Sequence, residues 1–192
     1  MTLLDLSLRR FLDDVAAAEP TPGSGSVAAV VTAAAAGLLA KVARLSSDGW
    51  PESVGIAAQA ESLRERASPL AQVDADDYDA ALQAREAAGE EPSDGRDFAL
   101  GRAFARAAEP PLRIVEAATD VAELSVTVAR NGDPSLRADA TAAGALAAAA
   151  ARAAAELVAV NLTAAPDDER VRRVRTLAEA AARAAEEAFA GG

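Results

Sequence analysis

Histidine and cysteine are both absent from this chain, and lysine occurs once, at Lys41. Without cysteine there are no disulfides and no thiol chemistry. Without histidine the commonest general base and the commonest metal ligand are gone. Acid–base chemistry therefore falls to Asp, Glu, Lys, Tyr or water. Aromatic residues make up 3% of the chain while hydrophobic residues make up 51%, with alanine dominant. Such a core is thin and closely packed: small side chains let helices approach, but each buries little area, at about 25 cal/mol per Å². That shortfall is one reason to expect oligomerisation.

No uninterrupted apolar run reaches the ~20 residues of a membrane span. The best candidate, Val27 to Ala40, is short and alanine-rich, and reads as a buried core helix. The N-terminal MTLLDLSLRRFLDDV does not read as a signal peptide, because acidic residues interrupt it. A net charge of −11 argues against a general nucleic-acid binder and against a binder of anionic membranes. A cytoplasmic location is expected by elimination.

What is present is helical periodicity, over 192 residues that suffice for one domain, 1–192. Strand patterns with hairpin turns are nearly missing. Leu4, Leu8, Phe11, Leu12 and Val15 mark one face of a first helix that Glu19-Pro20 ends. A second helix, apolar almost all round, is expected from Ser26, as its N-cap, to about Leu45, and belongs at the centre. Helix follows from about Glu52 to Ala88 with a kink or break at Pro69, then an exposed loop at 89–95. Helix from Arg96 to Ala108 is interrupted by Pro110-Pro111 and resumes from Leu112 to Arg130. After the turn Asn131–Ser135, with Ser135 a candidate cap, a small-residue helix runs from Leu136 to Leu162. A last helix opens on Pro166-Asp167-Asp168-Glu169, acidic where the macrodipole favours it, with Glu169–Arg173 and Glu179–Arg183 spaced as i,i+4 pairs. The expected fold is an all-α bundle of six to seven helices around a long apolar one.

The stretch PTPGSGSVAA, Pro20 to Ala29, joins the first two helices. Its Gly23-Ser24-Gly25-Ser26-Val27-Ala28 fits the letters G-x-G-x-x-A, but a helix precedes it where the dinucleotide fingerprint needs a strand. It is not a P-loop either, since no Gly-Lys-Ser/Thr follows. Two readings remain. Glycines and the free N–H groups of a helix start can hold a carboxylate or a polar ring edge. Alternatively the stretch is a tight turn with a capping serine.

PTPGSGSVAA followed by an apolar helix resembles the opening of the cyclodeaminase/cyclohydrolase family, whose pattern there is close to P-T-P-G-G-G-S-V-A-A. Further matches follow in order. LAQVDADDYDAA at 70–81 carries an acid four residues before an aromatic, Asp74 and Tyr78. NGDPSLRADATAAGALA at 131–147 is similar to the family's Asn-rich turn, with Asp139 on its aspartate. Val160-Asn161-Leu162 is similar to its Ile-Asn-Leu. The matches span residues 6–170. The resemblance implies an all-helical homodimer and a folate substrate: formimino-tetrahydrofolate losing ammonia, or methenyl-tetrahydrofolate taking up water. Neither reaction needs a metal or redox cofactor. The chain departs from the pattern at Ser24, which replaces a glycine, at Ala138 and Leu157, and at 46–51, where relatives carry lysines that could serve an anionic folate tail. These departures keep open a non-catalytic helical dimer that binds a folate or another metabolite.

Asp139 and Asp74 are the candidate acid–base residues, and Pro22, Gly23, Ser24, Gly25, Ser26, Lys41 and Asn161 the candidate substrate-binding ones. Each has a plainer reading. Asp139 can be a solvated or capping aspartate, and Asp74 one of a wet acidic run with Asp76, Asp77 and Asp79. Lys41 can pair with Asp74, Asp139 or a substrate carboxylate, or complement a helix C-terminus. Asn161 can bridge two helices, and Trp50 can plug the core.

Overall fold

The computed structural model describes residues 2–89, 93–163 and 167–191, and among these it contains eight α-helices, two 3-10 turns and no strand. The helices are α1 (Leu8–Val15), α2 (Ser24–Leu45), α3 (Ser53–Ala67), α4 (Leu70–Ala87), α5 (Asp94–Ala107), α6 (Glu109–Asn131), α7 (Arg137–Asn161) and α8 (Glu169–Ala190). The helix beyond the expected number arises at Pro69, which divides the 52–88 stretch into α3 and α4.

α2 lies at the centre, with Ala29, Ala35, Ala36, Leu39, Ala40 and Val42 fully buried. Its 22 residues exceed the short apolar run read from sequence, and α2 and Pro134–Asn161 are both long and apolar enough to cross a membrane; α2's apolar window is 61% buried inside the bundle. Lys41 on α2 meets Asp139 on α7, so these two helices run antiparallel. Arg173–Glu116 and Arg130–Glu187 tie α8 to α6 in parallel register. Arg173 thus reaches across to α6 rather than back to Glu169 along its own helix. Small residues set how closely these helices pack. A Cβ at Gly144 on α7 would overlap the buried Ser125 hydroxyl of α6 and stand 3.7 Å from the Ala185 Cα of α8.

The helix ends differ from expectation for local reasons. α2 starts at Ser24 with Gly23 in the N-cap position and no capping side chain of its own, so Ser26 is inside the helix rather than its cap. Pro110 and Pro111 lie within the first turn of α6, where no N–H needs a helical acceptor. Asp133 rather than Ser135 makes the turn before α7, accepting from the Ser135 N–H (2.8 Å). Asp168 caps α8 by accepting from the Arg170 N–H (2.9 Å). Gly89, at φ +66°, ends α4 in the left-handed conformation that a side chain disfavours. Residues 90–92 of the expected loop, and Pro166, lie outside the described residues. In α1 only Phe11 is buried. Leu4, Leu8, Leu12 and Val15 stay exposed on the single chain, so the periodic face read from sequence packs on its own bundle through Phe11 alone. Trp50, 6% exposed, belongs to the core.

α4 continues the line of α3 and runs on past the start of α2. Gly37 faces Arg64, Ser26 bonds to Ala71, Gly25 faces Asp74 and Thr21 bonds to Asp79. α5 then returns along α4, tied by Arg106–Asp77 (2.9 Å). This geometry places the glycine stretch, the acidic run and the end of α7 at one end of the bundle.

Candidate functional site

The start of α2 and the first half of α4 are pressed together at Gly25. A Cβ at that position would overlap both oxygens and the carboxyl carbon of Asp74. Glycine is therefore required by close approach: the Asp74 carboxyl group occupies the volume that any other side chain at position 25 would take. The neighbouring Ser26 is fully buried and donates its hydroxyl to the Ala71 carbonyl (2.7 Å), which pins α4 one turn ahead of Asp74. Asp74 stands where the missing N-cap of α2 would stand. A carboxylate from another helix faces the free N–H groups at the positive end of α2.

The electrostatics of Asp74 are mixed. Its residue is 8% exposed. Burial pushes its carboxyl up to about 6, the Ser26 N–H and hydroxyl oppose that rise, and the charge of Asp77 adds to it. Desolvation wins because one neutral residue, whose hydroxyl proton is given to the Ala71 carbonyl, does not replace a hydration shell. A carboxyl that titrates near 6 is mostly ionised at neutral pH yet basic enough to accept a proton, the property wanted of a general base. Ser26→Ala removes the hydroxyl that opposes the rise. The Asp74 midpoint is then expected to move above 6, read as a shift to higher pH of the acidic limb of whatever activity the site has.

Around Asp74 the sequence candidates divide into two groups. The 22–26 stretch is beside it: the Thr21–Pro22 peptide bond is cis, Gly23 precedes the helix, and Ser24 is the exposed first residue of α2. The hydroxymethyl that departs from the family pattern thus faces solvent, and the glycine that Asp74 requires is kept. Asn161, at the end of α7, donates to the Ala107 carbonyl at the end of α5 (2.9 Å), so it bridges two helices at this end of the bundle. Lys41 and Asp139 are elsewhere. Between Gly25 and Lys41, α2 rises about 24 Å at ~1.5 Å per residue. The two form an ion pair with each other (2.7 Å), with side chains 53% and 39% exposed. Within one chain the structure brings Asp74 to the glycine stretch and does not bring Asp139 there.

Sequence reasoning passed over two contacts at this end. Thr21 donates to the Asp79 carboxylate (2.9 Å), fastening the residue before cis-Pro22 to α4. Asp77 holds Arg106. The available signal was spacing: Asp74, Tyr78, Ala81 and Arg85 recur at i, i+4, i+7 and i+11 on one face of α4, which separates them from the rest of the acidic run.

A family model described as formiminotransferase-cyclodeaminase matches residues 7–180. Among solved structures, the crystal structure of formiminotetrahydrofolate cyclodeaminase from Thermotoga maritima at 2.80 Å resolution is similar: 26% sequence identity, covering 98% of this chain and 98% of that one, with a TM-score of 0.82. No curated protein matches.

Proposed function

Because this chain belongs to the formiminotransferase-cyclodeaminase family, we propose that its Gly25–Asp74 site converts a one-carbon derivative of tetrahydrofolate. It acts as a formimidoyltetrahydrofolate cyclodeaminase or as a methenyltetrahydrofolate cyclohydrolase. One observation carries the reading: a buried carboxyl with its pKa raised to about 6, set against the start of an apolar helix at a position only glycine can occupy. Both reactions are proton transfers at a single carbon. In deamination the folate N10 attacks the carbon of the protonated formimino group, the base takes the N10 proton, and that proton passes to the resulting NH2 group, which leaves as ammonia and yields the methenyl cation. In hydration the base takes a proton from the water that adds to the methenyl carbon. Asp74 supplies the base in either case. The donors at the start of α2 orient the ring, and Asn161 adds an amide at the same end.

Asp139 and Lys41 join this reading through a homodimer, in which the partner brings its own pair to the Asp74 site. Asp139→Asn is then expected to lower kcat at least a hundredfold. Asp74→Asn and Asp139→Asn subunits, each inactive alone, should regain about a quarter of wild-type activity when mixed as a symmetric dimer. Mixed dimers that stay inactive remove Asp139 from the site. The direct test of the proposal is turnover of methenyl- and formimino-tetrahydrofolate by the purified protein, followed by the methenyl chromophore. Binding of a folate without turnover would replace the proposal with a non-catalytic folate-binding protein.

A further inference from the structure

Beyond Asp74, the same face of α4 leads to Arg85, about 16 Å further along the helix. There it borders a groove of about 860 Å³ between α4, α5 and the α7–α8 junction, a volume suited to a small ligand. Phe98, Phe104 and Leu162 supply apolar walls, and Asn161 lies at the rim. A smaller hollow of about 430 Å³ shares Phe98 and Arg102 with this groove and reaches Asp77, one turn from Asp74. The groove and the carboxyl site thus lie along the same helix, with the smaller hollow between α4 and α5 in the interval.

The groove's charge is unbalanced. Its two carboxylates are committed: Asp97 pairs with Arg96 (2.9 Å) and Asp168 with Arg170 (2.9 Å), while Arg170 also holds Glu109 (2.6 Å). Further along α5, Arg106 is taken by Asp77. Among the described residues Arg85 and Arg102 have no carboxylate partner, and Arg102 lies over the Phe98 ring, 5.9 Å from its centroid. In a chain of net charge −11, two uncompensated guanidinium groups beside exposed aromatic faces are a local reversal of sign. The only lysine is already bound to Asp139, so an anionic ligand group must be met by arginine. Guanidinium matches a carboxylate with paired donors, and the Phe walls match a flat ring.

We propose that this groove binds an aromatic amide bearing carboxylates, with Arg85 and Arg102 holding the carboxylates and Phe98 and Phe104 flanking the ring. Resting on the folate reading above, it is the subsite for the p-aminobenzoyl-glutamate tail of the substrate. The span of α4 from Asp74 to Arg85 sets the reacting carbon and the tail at opposite ends of one extended ligand.

The test uses the tail alone, so that it stands apart from turnover. Calorimetric titration of the full chain with p-aminobenzoyl-L-glutamate is expected to show saturable binding, at least tenfold tighter than p-aminobenzamide or L-glutamate. Arg85→Ala/Arg102→Ala, at exposed positions and checked for wild-type helicity and Tm, is expected to weaken it at least tenfold. In a turnover assay the same variant should raise KM by a similar factor, with the loss falling on KM rather than kcat. No binding of the tail by the wild type, or equal binding by the variant, overturns the subsite even if folate turnover is present. Tail binding that the variant loses, in a protein with no folate turnover, upholds the subsite and sinks the proposed reaction instead.

Discussion

Asp74→Asn is expected to lower kcat at least a thousandfold and to stabilise the fold in the same protein. Asparagine keeps the shape of the side chain and an oxygen for the Ser26 N–H, but it cannot take a proton, so loss of the base is the direct consequence. The stability gain follows from burial. The folded-state pKa of Asp74, about 6, lies above the ordinary aspartate value of 3.8. A carboxyl raised in this way binds its proton more tightly in the folded chain than in the unfolded one. Its favourable contribution is complete below about pH 4 and is lost as pH rises through 6. Above that the folded state carries a penalty of about 3 kcal/mol for holding a buried charge. Asparagine has no such penalty. In urea denaturation the variant's advantage should therefore grow with pH, by about 1 kcal/mol between pH 5 and pH 8. A variant that is less stable than wild type at pH 8 would mean that the Asp74 charge is compensated by donors better placed than Ser26. The opposition between activity and stability is what a site built by desolvation predicts.

Gly25→Ala is expected to remove activity by a different route. The added methyl would occupy the space of the Asp74 carboxyl group, and neither helix has room to yield: Ser26 on one side and Ala71 on the other are fully buried and bonded to each other. The carboxyl must leave its position or α4 must lift from α2. The expected cost is about 1–3 kcal/mol of stability and at least a hundredfold in turnover. The three nearest atoms all lie beyond the Asp74 Cβ, so Asp74→Ala is expected to relieve the clash. In that background Gly25→Ala should cost nothing, or gain part of the ~1 kcal/mol that alanine offers over glycine in a helix. The coupling in this double-mutant cycle therefore isolates the contact itself. Additive effects would show that Gly25 matters for some reason other than Asp74. Ser24→Ala, one residue earlier and exposed, should stay within about 0.5 kcal/mol of wild type.

These two variants mark the limit of what the chain discloses without coordinates. The bundle was readable because its signals are local: Pro69 breaks a helix, Asp168 caps one, and the apolar run after Gly25 can only be a core helix. The Asp74–Gly25 contact joins residues far apart in the chain, and no periodicity encodes it. Resemblance to a family placed both residues among the candidates, but only packing shows that one fills the void left by the other. Propensity misjudged Pro110 and Pro111, because a first turn tolerates prolines that an interior rejects. It also misjudged α1, whose apolar spacing is genuine but of whose face only Phe11 is buried in its own bundle. Asp139 and Asp74 seemed equivalent in sequence. The fold separates them: one is half-exposed and ion-paired, the other buried without a cation. Arg85 and Arg102 attracted no notice among 19 basic residues, since what distinguishes them is their place beside one groove with Phe98 and Phe104, a property of the folded surface alone.

The most direct measurement is the titration of the Asp74 side-chain carboxyl carbon by NMR in the full-length protein, with and without 5-formyl-tetrahydrofolate. The account predicts a midpoint near pH 6 in the free protein, a further displacement when the folate is present, and no such resonance in Asp74→Asn. A midpoint below about 4, the range of an ordinary aspartate, unchanged by the folate, would contradict it.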